Sequence, residues 1–145
     1  VSQLRNIMTS NVITVQESQS IQEAAGLMRQ HNIGSIPVVN NQGQMTGILT
    51  DRDITLRSTA QGQTPNVPVS QVMSSQQMVS ATPNMGVEEA AQLMSDQQIR
   101  RLPVLENGQI IGMVALGDLA VQQQHDQKAG QALSGISNPS SPTTK

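Results

Sequence analysis

Two short strings in this sequence hold residue types that can do chemistry. They are Gly47-Ile48-Leu49-Thr50-Asp51-Arg52-Asp53 and Ile99-Arg100-Arg101-Leu102-Pro103-Val104. In the first, an apolar run ends at Leu49 and a helix is expected after Thr50. A hydroxyl and free backbone N–H groups at a helix start can hold an anion. A carboxylate one turn in can accept hydrogen bonds from the vicinal diol of a ribose. The same geometry serves helix capping, with Thr50 as the cap and an acid three residues on. For the string alone, capping is the simpler account. In the second string, two adjacent guanidinium groups suit phosphate oxygens. They equally suit solvation beside a helix C-terminus, and the residues by themselves leave these two readings level.

Other candidates are sparse. His31 and His125 are the only histidines, and neither has a partner at a metal-ligand spacing. Asp51 and Asp53 alone make a poor divalent-ion site. Glu88 and Glu89 read as partners of a helix dipole. No nucleophile, base and orienting group can be assembled. Neither an enzyme, a metal site nor a cofactor is therefore expected.

The elements that position these residues come in two copies. Residues 7–54 and 72–119 align over roughly 47 positions with about 15 identities. Met8 aligns with Met73, Glu23-Ala24-Ala25 with Glu89-Ala90-Ala91, and Leu27-Met28 with Leu93-Met94. Further on, Pro37-Val38 aligns with Pro103-Val104, Gly47 with Gly112, and Asp53 with Asp118. Each copy opens with a short extended piece, Val12 to Val15 and Val79 to Ala81. An amphipathic helix follows, from about Ile21 to Gln30 and from about Val87 to Gln97, with apolar residues at helical spacing. Two β-branched runs come next, joined by the turn residues Asn40-Asn41-Gln42-Gly43 or Glu106-Asn107-Gly108. A second helix starts near Thr50 and near Leu116.

The fold class expected is α/β (α+β): two β-α-β-β-α repeats packed with pseudo-two-fold symmetry, since one such unit buries little core alone. Residues 1–60 form the first repeat, 61–71 a linker and 72–125 the second repeat. Residues 126–145 read as a polar tail, disordered beyond about residue 136.

The copies differ where the chemistry lies. The second has Ala115 in place of Thr50 but keeps Asp118. Loss of the cap with retention of the acid favours a role for the Asp itself. The first has Gly34-Ser35 where the second has Arg100-Arg101, so only one half carries the charges.

Composition removes several classes. The 145 residues include no Cys, Phe, Trp or Tyr, so there is no disulfide, thiol nucleophile or aromatic stacking platform. The core must come from Ile, Val, Leu, Ala and the 8 Met. A net charge of -2 and a pI near 5.5 argue against a nucleic-acid binder. Mean hydropathy is -0.28, and no apolar run approaches the ~18 residues of a membrane span. No apolar signal-peptide core is visible at the start, so a cytoplasmic protein is expected.

The order and duplication of these features resemble a pair of cystathionine-β-synthase (CBS) domains, a Bateman module. The residues that carry the likeness are the tandem β-α-β-β-α repeat, the Ile36-Pro37-Val38-Val39 run and the G-x-x-T-x-x-D string from Gly47 to Asp53. The likeness covers about residues 1–121 and is strongest to small stand-alone bacterial proteins of this kind. It implies a regulatory module that binds AMP, ADP, ATP or S-adenosylmethionine between the repeats. By that resemblance, the main cleft joins Thr50 and Asp53 to Met78, Val79, Ser80, Ile99, Arg100 and Arg101. Asp53 takes the ribose hydroxyls, Met78, Val79 and Ile99 sandwich the adenine, and Thr50 with the two arginines holds phosphate. A weaker cleft joins Asp118 to Val12, Ile13, Thr14, Ile33, Gly34 and Ser35. The resemblance also implies a homodimer assembled through the second helices and a protein partner that the sequence does not identify. A ligand-free interaction module acting through dimerisation is the competing expectation.

Overall fold

The structure is a computed structural model and describes residues 2–76 and 78–137, the last nine of these by backbone alone. It is a mixed α/β architecture built twice. In the first half, β1 (Val15–Gln16) leads to α1 (Ile21–His31), then β2 (Ser35–Val39) and β3 (Met45–Thr50). A single α-turn, α2 (Asp51–Asp53), continues as a π-helix over Ile54–Thr59. The second half has α3 (Val87–Gln97), β4 (Arg101–Glu106), β5 (Gln109–Ala115) and α4 (Leu116–Ser137).

Local chemistry explains these elements. Ser20 caps α1 by accepting the Glu23 backbone N–H at 3.1 Å. Asn32 ends that helix in the left-handed conformation, and Gln98 does the same for α3. The buried residues Ile21, Ala24 and Met28 recur as Val87, Ala90 and Met94, the apolar stripe of an amphipathic helix. β2 and β3 form an antiparallel hairpin whose turn is closed by the Asn40 side chain, which accepts from the backbones of Gln42 and Gln44. β4 and β5 form the matching hairpin. β1 pairs parallel with β2 through Val15 and Val38, and the second half repeats this as a single bridge from Ala81 to Val104.

Each half completes its core with a segment from the other end of the chain. Leu4, on the 3-10 turn Leu4–Asn6, is fully buried among Val87, Ala90, Met94, Leu102 and Val114. Val69 and Val72, on and just after the 3-10 turn Val69–Gln71, are fully buried among Val15, Ile21, Ile36 and Leu49. Backbone bonds fix the exchange: Thr9 pairs with Met113, and Ser74 pairs with Ile48. The stretch before each repeat thus belongs to the opposite sheet. The segment read as a linker therefore contributes core residues at its end.

The glycines shared by the repeats sit at these crossings. A Cβ on Gly47 would stand 2.7 Å from the Met73 sulfur and 2.9 Å from the Ser74 carbonyl oxygen. Met8 lies against Gly112 in the same way. The aligned pairs Met8/Met73 and Gly47/Gly112 therefore touch crosswise between the halves.

The last helix departs from expectation. The chain from residue 126 was read as a polar tail, yet α4 continues to Ser137. Gln, Ala, Lys and Leu, which make up half of this stretch, are good helix formers whatever their polarity. Residues 138–145 lie outside the described residues.

Candidate functional site

β3 runs straight into α2, and at this junction Thr50 and Asp53 cap each other. The Thr50 hydroxyl accepts from the Asp53 backbone N–H at 3.0 Å, and Asp53 Oδ2 accepts from the Thr50 backbone N–H at 3.0 Å. This is a complete capping box. Asp53 Oδ1 faces the Ser74 hydroxyl at 3.5 Å and Arg57 Nε at 3.8 Å. Its side chain is only 12% exposed. Both readings of the string therefore share one geometry: Oδ2 makes the cap, and Oδ1 is held by the Ser74 hydroxyl and the Arg57 guanidinium.

A cleft of about 640 Å³ opens between the two halves, a volume suited to a small organic ligand. One wall is the chain entering β2, Ile33-Gly34-Ser35. The facing wall is the chain entering β4, Ile99-Arg100-Arg101. These segments occupy equivalent places in the two repeats. Thr50, Asp51 and Arg52 come from the β3–α2 junction, and Val79 from the extended piece before Ala81.

Arg101 ties the walls together: its Nη1 donates to the Ser35 carbonyl at 2.9 Å. Burial lowers its guanidinium from the ordinary arginine value. Arg100 is exposed at the rim, while its carbonyl accepts the first backbone N–H of α4, from Leu116, at 2.8 Å. The two adjacent arginines hold different posts.

Of the residues expected in the main cleft, Thr50, Val79, Ile99, Arg100 and Arg101 line it together. Met78 is exposed and Ser80 half-buried beside Val79, and neither lines the cavity. Asp53 also stands outside the lining, held in its cap. Ile33, Gly34 and Ser35, expected beside Asp118, line this same cavity. Asp118 is exposed in the first turn of α4, and Val12, Ile13 and Thr14 are half-buried in the irregular segment leading to β1. Sequence reasoning passed over Ile48, Asp51 and Arg52 as cleft residues. The available signal was their string: the second repeat puts Leu116-Gly117 where the first puts Asp51-Arg52.

The family model described as CBS domain matches residues 4–58 and again residues 69–123. The chain belongs to the CBS-domain family. Both matches begin at the exchanged 3-10 turns, so the family unit includes the segment that crosses to the other sheet.

This CBS pair is 54% identical to the CBS domain-containing protein YhcV of Bacillus subtilis, over 95% of this chain and 97% of that protein. It is also similar to Hypoxic Response Protein I, at 31% identity and a TM-score of 0.74, covering 82% of this chain and 97% of the other. That structure holds two coordinated zinc ions. This CBS pair has no cysteine, and among the described residues no three His, Asp or Glu side chains gather as a metal site. A third similar structure is the CBS domain pair of protein MJ0100 in complex with 5'-methylthioadenosine and S-adenosyl-L-methionine. It has 26% identity and a TM-score of 0.73, over 87% of this chain and 98% of the other. Among the described residues, no helix is long and apolar enough to cross a membrane.

Proposed function

We propose that this CBS pair is a regulatory module whose central cleft binds an adenosine-containing ligand: AMP, ADP, ATP or S-adenosylmethionine. One observation carries the reading. Aliphatic surface from Ile33, Val79 and Ile99 meets the Thr50 hydroxyl and the Arg100 and Arg101 guanidinium groups in one cavity between the repeats. The apolar part suits a purine face in a chain without aromatic residues, and the guanidinium groups suit phosphate oxygens. The adenosyl compounds bound by the MJ0100 pair support the same reading.

In this reading Asp53 Oδ1 receives a ribose hydroxyl, and Met78 and Ser80 close over the base on binding. The second cleft, around Asp118 with Val12, Ile13 and Thr14, is the weaker one because Ala115 replaces the threonine and no arginine faces it. The module catalyses nothing. It works in the cytoplasm as a homodimer and passes its ligand state to a protein partner, without contact to nucleic acid or membrane. A thermal unfolding series tests this. A ligand held a hundredfold above its dissociation constant adds about 2.7 kcal/mol of stability. A rise in Tm with millimolar AMP, ADP, ATP or S-adenosylmethionine supports the reading, and no rise with any of them overturns it.

The competing reading, a ligand-free interaction module, draws on a different observation. Leu56, Leu116 and Val121 are exposed on the second helices of the two repeats. It expects a stable dimer whose Tm ignores all four compounds.

A further inference from the structure

The charges of the cleft are uneven in a way that bears on which ligand it takes. Asp51, Arg52, Arg100 and Arg101 all line it. Three of the chain's 8 cationic side chains thus converge on one cavity of a protein whose net charge is -2. Against these three guanidinium groups the lining sets one carboxylate, Asp51, while Asp53 behind it is paired with Arg57 and adds no net charge. The Asp51 backbone N–H donates to the Gly34 carbonyl at 2.9 Å. Asp51 Oδ1 accepts from the Arg52 backbone N–H at 2.8 Å. Oδ2 lies over Gly34, 3.2 Å from where a Cβ on that residue would stand. The carboxylate is therefore part of the cleft wall that faces Arg100 and Arg101. The second repeat has Leu116 at this place, so the counter-charge exists in one half only.

Resting on the adenosyl reading above, we infer that the cleft selects a nucleoside monophosphate, and that Asp51 is the residue that sets this preference. A phosphate monoester carries about -1.5 to -2 at neutral pH. That matches the net positive charge left by three guanidinium groups and one carboxylate. A metal-free triphosphate brings further anionic oxygens beyond this balance and drives them toward the Asp51 carboxylate. S-adenosylmethionine brings a sulfonium cation toward a positive cavity.

The test is calorimetric titration of the full chain with adenosine, AMP, ATP in EDTA, and S-adenosylmethionine. Asp51→Asn and Arg52→Gln variants run beside it. AMP should bind at least about tenfold tighter than adenosine, ATP or S-adenosylmethionine. In Asp51→Asn, ATP should gain about three- to tenfold while AMP changes less than about twofold. Arg52→Gln should weaken AMP and ATP alike, which confirms that the α2 side of the cleft meets the phosphate. Metal-free ATP binding as tightly as AMP, or an unchanged AMP-to-ATP ratio in Asp51→Asn, overturns the inference. Adenosine binding as well as AMP also overturns it while leaving the adenosyl reading intact. Failure of all four compounds to bind overturns that reading itself, and this inference with it.

Discussion

Arg101 donates from Nη1 to the carbonyl of Ser35 at 2.9 Å and so joins the first residue of β4 to the first residue of β2 across the cleft. Arg100, its neighbour, makes no such tie through its side chain among the described residues and stands exposed. The pair therefore splits into a structural arginine and a free one. Arg101→Ala should lower stability by about 1 kcal/mol, the usual worth of a charge-assisted bond discounted for partial exposure. Arg100→Ala should leave it unchanged within about 0.5 kcal/mol. Urea unfolding of both variants checks this. Equal losses would contradict the division.

The capping box makes a second prediction. Thr50→Ala or Asp53→Ala removes one arm of a reciprocal pair and should cost about 1 kcal/mol. Asp118→Ala, at the exposed equivalent position where Ala115 replaces the cap, should cost almost nothing. The comparison separates the two roles of Asp53. A ligand effect larger than the stability effect belongs to Oδ1, which takes no part in the cap, rather than to the cap.

The crossed segments make a third. Leu4 is fully buried in the core of the second repeat although it lies at the start of the chain. Leu4→Ala should cost about 2–5 kcal/mol. Hydrogen exchange should show the loss in α3, β4 and β5 rather than in α1. At the matching crossing, Gly47→Ala forces a methyl against the Ser74 carbonyl and should cost about 1–3 kcal/mol. Gly112→Ala meets the Met8 sulfur and Cγ, which can rotate, and the Met8 Cβ, which cannot, and should cost a comparable amount.

Acid should loosen the start of α1. Hydrogen bonds from Gln19 and from the Ser20 cap hold the Glu23 carboxyl below its ordinary value. A carboxyl depressed in the folded state stabilises it above the unfolded pKa, and that contribution fades as pH falls through the folded one. The helix start should therefore weaken as pH falls below the ordinary carboxylate range. Glu23→Gln should flatten that part of the Tm–pH curve. An identical curve in the variant would mean that the network does not persist in solution.

Much of the fold was legible because it is local and repeated. The stripe Ile21, Ala24, Met28 and its counterpart Val87, Ala90, Met94 follow from helical spacing, and both hairpin turns follow from Asn and Gly chemistry. The exchange of Leu4 for Val69 and Val72 was not legible. Self-similarity aligns each segment with its own repeat and carries no signal of which sheet it joins. The reach of α4 was hidden because Gln and Ala read as a polar tail on hydropathy while favouring helix by backbone propensity. Of the residues expected from motif and resemblance, Thr50, Val79, Ile99 and the two arginines line the cavity. The facing of Ile33-Gly34-Ser35 onto the same cavity was not legible, because it depends on how the halves pack, a long-range property no single string encodes. Asp51 and Arg52 were in view, but Asp51 was weighed as a divalent-ion contact and neither was placed in the cleft.

The most direct test of the adenosyl-binding cleft is a calorimetric titration of nucleotide-stripped protein with AMP, run beside an Arg100→Ala/Arg101→Ala variant. Saturable binding near about one site per chain, lost or weakened by about a hundredfold in the variant, is the predicted result. No heat from a folded wild-type chain, or undiminished binding in the variant, would contradict it.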